Sequence, residues 1–401
     1  MTSRKGRVTV PEGYQGREQA YIKHRLLQSY LEKLFLIIGM SSRRLGITEL
    51  CYVDCFAGPW GDESEDLNGT SIAVSLQILN RCRQELERRG IKLRFRALYV
   101  EIDRDAFARL QKYLIERTPS GIEAQAFHGD FVALREQILN WCGNRPFVFF
   151  FIDPTGWKEV SVNVLAPLLQ KPRSEFLITF MYDFVNRTAS MSAWKEDIAS
   201  LLGESVDLDD LPGAEREKIL LSTYRKNLKR HQHTERNLLA RSAYVRVLDR
   251  EKERPKYHLV YLTTHPRGII EFMAISESLD QIQKRVRAST KQSVRTKKFG
   301  MYELFDAQDF VDVEEGHASL KEVEQYWLKY LSGATRRVGE GEFANLLEDT
   351  DWFPGDFQRA LGGLIDAKKV KNLDATRKRP KTPLHWWEKG GERLQITEST
   401  K

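Results

Sequence analysis

The sequence predicts an α/β fold: a doubly wound, mostly parallel sheet with an edge hairpin, followed by a C-terminal winged helix. Three observations carry this. Between residues 49 and 182, short apolar runs alternate with amphipathic stretches, which is the strand–helix order of a parallel sheet. Those runs are apolar throughout, as VFFFI at 148–152 shows, which fits strands buried on both faces. Beyond residue 315, three short amphipathic stretches precede two strand-like ones, the order of a winged helix.

Taken in order, residues 17–38 form one amphipathic helix, because Tyr21, Ile22, Leu26, Leu27, Tyr30, Leu31, Leu34 and Phe35 make a wide apolar stripe. Strands are predicted at 49–56, 94–100, 123–127, 146–152 and 175–182, and helices at 70–87, 103–116, 130–142 and 159–170. Residues 190–240 read as a polar helical insertion. Strands at 242–249 and 257–264, joined by a charged turn ending in Pro255, make the edge hairpin. A helix at 268–288 follows. In the last part, Ser319 with Glu322 reads as a capping box, further helices fit 340–348 and 354–366, and strands fit 368–373 and 384–396. The division expected is 1–300 for the sheet-bearing part, with its insertion at about 186–241, and 301–401 for the winged helix.

The chain has 401 residues, 41% of them hydrophobic and 30% charged, an ordinary globular composition. No apolar run approaches a membrane span, and the N-terminus carries no secretory pattern. A cytoplasmic protein is expected, with Cys51, Cys55, Cys82 and Cys142 as reduced thiols. His231 and His233 lack a third ligand, so no metal site is expected. Net charge is +7, concentrated in two runs. Residues 284–298 hold Lys284, Arg285, Arg287, Lys291, Arg295, Lys297 and Lys298 without an acid, and 368–381 include Arg377, Lys378 and Arg379. Runs of this kind suit a phosphate backbone, so nucleic acid, RNA or DNA, is the expected partner; the plain alternative is a solvated surface.

The chemistry is read from four strand ends. CYVDCFAGPWG at 51–61 ends its strand at Asp54, then turns through Phe56, Ala57, Gly58 and Pro59, where glycine lets backbone approach a ligand. LYVEID at 98–103 places Glu101 and Ile102 at the second strand end, where a carboxylate can accept both ribose hydroxyls of a nucleoside. FHGDF at 127–131 places Asp130 to accept an adenine amino group and Phe131 to pack on the ring. FFFIDPTGW at 149–157 brings Asp153, Pro154, Thr155 and Trp157. Helix N-caps are the alternative for Asp103 and Asp130. Lys23 on the first helix could pair with a ligand carboxylate, or be a surface lysine beside a packed His24.

This four-part order resembles the S-adenosylmethionine-dependent methyltransferases, and DCFAG, VEID and IDP are similar to stretches of the ribosomal-RNA guanine amino methyltransferases. A closer resemblance is to the three-Cys-motif partner protein family, carried by KHRLLQSYL at 23–31, DCFAGPWG at 54–61, GTSIAVSLQ at 69–77, FIDPTGW at 151–157 and LTTHPRGIIEFM at 262–273. The resemblance implies a Rossmann-like methyltransferase core with a winged helix, S-adenosyl-L-methionine as cofactor, and a possible three-Cys-motif protein partner. It implies methyl transfer to an amino group of a nucleic-acid base, with Asp153 and the Pro154 carbonyl orienting the amine and Trp157 walling the pocket. The alternative is a catalytically inactive methyltransferase-fold protein that binds nucleic acid or assembles a partner. Two departures stand out. Trp60 replaces the second glycine of a G-x-G turn, and DPTGW lacks a second proline, so its aromatic falls one place late. The acidic loop 59–69 would repel phosphates, which disfavours an NAD-dependent oxidoreductase and suits a sulfonium.

Overall fold

The computed structural model describes residues 7–58, 67, 69–188, 191–235, 238–300, 305–312 and 317–397. Its elements, in chain order, are α1 (Glu18–Met40), α2 (Ser42–Leu45), β1 (Glu49–Asp54), α3 (Ser71–Arg88), β2 (Arg94–Glu101), α4 (Arg104–Arg117), β3 (Ile122–His128), α5 (Phe131–Cys142), β4 (Phe147–Ile152), α6 (Val162–Leu169) and β5 (Ser174–Phe180). These continue with α7 (Tyr182–Thr188), α8 (Lys195–Leu202), α9 (Gly213–His231), β6 (Arg241–Leu248), β7 (Pro255–Thr263) and α10 (Pro266–Phe299). The last part comprises α11 (Leu320–Leu331), β8 (Arg336–Val338), α12 (Glu340–Thr350), α13 (Pro354–Asp366), β9 (Val370–Asn372) and β10 (Glu392–Ile396).

Seven strands form one sheet in the order β3-β2-β1-β4-β5-β7-β6. The first five pair in parallel, and β7 joins β5 antiparallel as one arm of the β6–β7 hairpin. Strand order reverses between β1 and β4, so a crevice opens beyond their carboxyl ends. Alternation along the strands sends Tyr52, Phe149 and Phe151 to one layer and Val53, Phe150 and Ile152 to the other. Helices α1, α3 and α10 cover the first face, and α5, α6, α8 and α9 the second. A Cβ on Gly39 would collide with Leu86, so the glycine sets how closely α1 and α3 pack.

A three-stranded sheet, β8-β10-β9, and helices α11, α12 and α13 make the C-terminal winged helix. It packs on the sheet-bearing part through polar anchors. Arg225 of α9 holds both carboxylate oxygens of Asp351, at 2.8 and 3.0 Å, and Glu348 of α12 accepts from the Ser242 N–H of β6 at 3.1 Å.

Several expectations need correction. The helix placed at 268–288 runs to Phe299, because Leu279, Gln283, Val286 and Thr290 keep a buried stripe against the β6–β7 hairpin. The segment read as a polar insertion buries Leu220, Leu221, Tyr224 and Leu228, and so covers the sheet between β5 and β6. Ser319 stands at the N-cap of α11, but its side chain makes no capping hydrogen bond. The last strand is shorter than expected, since 384–391 is an irregular connection. All four cysteines are free and buried, and burial pushes the Cys51 thiol up to about 12.

Candidate active site at the carboxyl rim of the sheet

Parallel pairing places Asp54 opposite Tyr99 of β2 and Phe151 of β4. Glu101 lies two residues beyond Tyr99, and Asp153 two beyond Phe151, so all three carboxylates reach the same rim at the switch in strand order. The turn after β1 is fixed there. Its Cys55 N–H donates to the Phe151 carbonyl at 3.0 Å, and its Ala57 N–H to the Val100 carbonyl at 2.8 Å. The chain thus leaves β1 still bonded to both neighbouring strands, with Ala57 and Gly58 buried. Pro59 and most of the acidic loop lie outside the described residues.

Asp54 is fully buried and accepts from the Phe56 N–H and the Tyr52 hydroxyl, each at 3.2 Å. Burial pushes its carboxyl up to about 6. Hydrogen bonds from Ser71, Phe56 and Tyr52 oppose the shift, and nearby Asp153 adds to it. Glu101 is also buried, which raises its carboxyl, and its Oε1 accepts from the Asp103 N–H at 2.6 Å. Beside it, Ile102 is 62% exposed, an apolar surface next to a carboxylate.

Asp130 is the N-cap of α5, with Oδ1 accepting from the Ala133 N–H at 2.9 Å, and Asp103 caps α4 in the same way. Phe131 is buried, its ring 5.0 Å from Phe56, so it does not present a free face for stacking; the half-buried Phe56 is the ring with accessible surface.

At the end of β4 the sequence reading is revised. Asp153 Oδ2 is salt-bridged to Lys23 of α1, and its Oδ1 accepts from the Thr179 hydroxyl of β5 at 2.6 Å. Lys23 also lies 5.5 Å from the Tyr257 ring centroid. Lys23 and Asp153, read as serving different ligands, therefore hold each other. Burial pushes the neighbouring His24 down to about 3, helped by the charge on Lys23, and its Nδ1 pairs with the Tyr14 hydroxyl at 2.9 Å. Trp157 is buried in an aromatic cluster, 5.8 Å from Phe184 and 5.9 Å from Trp194, so it is not an open stacking platform. Pro154 is buried and Thr155 exposed.

The basic runs divide as well. Arg287 is buried, donating to the Asp249 and Lys252 carbonyls at 2.9 Å each and pairing with Glu253. Lys291 also pairs with Glu253, Lys284 with Asp280 at 2.5 Å, and Arg379 with Glu392 at 2.6 Å. These four fasten the fold. Arg295, Lys297 and Lys298 are exposed near the end of α10, Arg285 is half-buried there, and Arg377 and Lys378 lie on the winged helix.

Sequence reasoning missed Thr179, Tyr257 and Ser71, which carry no motif. It also missed Glu175 at the opposite end of β5. That carboxylate accepts from Tyr30, Tyr261 and Thr263 at 3.0, 2.8 and 2.7 Å, and burial pushes it up to about 7.

The sheet order, with its antiparallel β7, defines a Rossmann-like methyltransferase fold carrying a C-terminal winged helix. Residues 291–377 match the family described as GMT-like wHTH domain. Solved structures similar to the chain include TomG, an O-methyltransferase from Streptomyces achromogenes in complex with SAM. It is 12% identical, covering 64% of this chain and 92% of that one at a TM-score of 0.29 to 0.30 rounded as 0.30. Others are the SAH-bound Podospora anserina methyltransferase PaMTH1 (8%, covering 65% and 98%, TM-score 0.28) and PKMT2 from Rickettsia typhi (9%, covering 84% and 89%, TM-score 0.26). Likenesses at these scores say nothing of substrate. No curated protein matches the sequence. Among the described residues, no helix is long and apolar enough to cross a membrane.

Proposed function

We propose that the chain is an S-adenosylmethionine-dependent methyltransferase acting on an amino group of a nucleic-acid base, in RNA or DNA. The observation that carries this is the convergence of Asp54, Glu101 and Asp153 on one rim at the switch point. The residues fit the cofactor: Glu101 offers a carboxylate for ribose hydroxyls, Ile102 and Phe56 an apolar wall for the adenine, and Asp54 a buried carboxylate beside a fixed turn. When bound, S-adenosylmethionine supplies an electrophilic methyl sulfonium. Lys23 would exchange Asp153 for the cofactor's carboxylate. Asp153, held by Thr179, would then accept the amine hydrogens, so that orientation supplies most of the acceleration. The division proposed is 1–300 for the methyltransferase part, with 186–241 as its helical segment, and 301–401 for the winged helix. Resemblance in the motifs supports assignment to the three-Cys-motif partner proteins and a cytoplasmic setting.

The Lys23–Asp153 pair and the packed Trp157 favour a second reading, a methyltransferase fold without turnover that binds nucleic acid or a protein partner. Calorimetric titration with S-adenosylmethionine, followed by a labelled-methyl assay on RNA, DNA and protein, separates the two. Asp153→Ala should bind cofactor and lose transfer. Full turnover in that variant would remove Asp153 from the reaction, and binding without transfer in the unaltered protein would favour the second reading.

A further inference from the structure

We infer that a trough on the winged helix holds a single-stranded nucleic-acid segment by its phosphates, an inference that rests on nucleic acid being the substrate proposed above. The trough, about 810 Å³ in volume, lies between the C-terminal half of α13 and the 368–383 segment. Its floor is apolar and low, formed by Gly362, Gly363, Val370 and Pro383. Its charged side chains are six cations and one carboxylate. Three of the cations are matched within the fold: Arg359 by Asp356, Lys378 by Asp366 and Arg379 by Glu392. Lys368, Lys371 and Arg377 meet no carboxylate among the described residues, so the trough carries an unbalanced positive charge.

Two features select the ligand. Lys368 occupies the residue after α13 with φ +58°, a left-handed position where glycine is preferred, so the lysine is held at the lip by the turn itself. And α13, the helix that a winged helix would lay into a duplex groove, carries Gly362–Gly363 in its middle, where nothing can reach a base edge. A concave, smooth-floored channel with cations at its lip takes in an extended phosphodiester strand and reads no sequence.

Fluorescence anisotropy on the full chain tests this, using a labelled mixed-sequence RNA dodecamer, its DNA counterpart, the corresponding duplexes and poly-glutamate. The strands should bind more tightly than the duplexes or the acidic peptide, and the RNA and DNA arms show which backbone is preferred. Replacing Lys368, Lys371 and Arg377 together by alanine should lower the slope of log K against log salt by about 2, at about 0.7 for each phosphate released. Gly362→Glu is the second variant. A Cβ there meets only Pro383 at 3.8 Å, so the helix accommodates it while the trough gains a negative charge, and strand affinity should fall at least 10-fold. Unchanged slope and affinity in both variants, or duplex or poly-glutamate binding as tightly as the strand, overturns the inference. The methyl assay separates its failure from that of the enzyme reading: trough-dependent strand binding without transfer leaves the trough standing, and transfer to nucleic acid unaffected by either variant removes the trough alone.

Discussion

Replacing Asp54 by asparagine should stabilise the unliganded protein while destroying cofactor binding. The fully buried carboxyl titrates near 6 instead of its ordinary 3.8, a gap of about 2 pH units. At 1.36 kcal/mol per unit, ionising Asp54 in the fold costs about 3 kcal/mol relative to ionising it in the unfolded chain. The sign follows from a raised folded-state value. The contribution is fully present below 3.8 and is lost as pH rises through about 6. Asparagine keeps an oxygen for the Phe56 N–H and an amide for the Tyr52 hydroxyl, but does not ionise. Its advantage over aspartate should therefore be small at pH 4 and grow to about 3 kcal/mol by pH 8. Thermal melts of both proteins across that range read it directly; at about 1–2 °C per kcal/mol for a chain this long, the gap in Tm should widen by several °C. A gap independent of pH would show that Asp54 is not held as a strained anion, and the reasoning from burial would fall.

Other expectations follow from the same geometry. Glu101→Gln should abolish cofactor binding in calorimetric titration while leaving the melt nearly unchanged; retained affinity would place the ribose elsewhere. Lys23→Met should leave Asp153 with one partner, Thr179, and weaken cofactor binding, and unchanged affinity would confine Lys23 to its ion pair. Gly268→Ala places a Cβ 2.5 Å from the Tyr261 hydroxyl and should destabilise the fold by about 1–3 kcal/mol in urea titration. Arg225→Ala leaves Asp351 without its guanidinium and should cost about 3 kcal/mol, with Asp351→Ala added to it costing little more.

Most of the sheet was legible because its strands are buried on both faces, so each reads as a continuous apolar run. β8 was not, since two of its three residues are exposed arginines at a sheet edge. The extent of α10 was hidden by its lysines and arginines, which look like a solvated tail until Val286 and Thr290 are seen packed on the hairpin. At the rim, the three carboxylates were readable because each closes its own strand. The Lys23–Asp153 pair joins residues 130 apart, and no local pattern predicts it. The burial of Trp157 depends on Phe184 and Trp194, which arrive from segments with no motif of their own.

Helix α10 is common to both halves of the molecule. Its 34 residues span about 50 Å, with Glu277 accepting from the Gly355 N–H of α13 and Arg287 gripping the β6–β7 turn. A rod anchored at both places sets a fixed reach between the winged helix and the sheet. If the trough clamps a strand, the rim then samples a position at a constant count of nucleotides from the clamp, and the protein works as a molecular ruler.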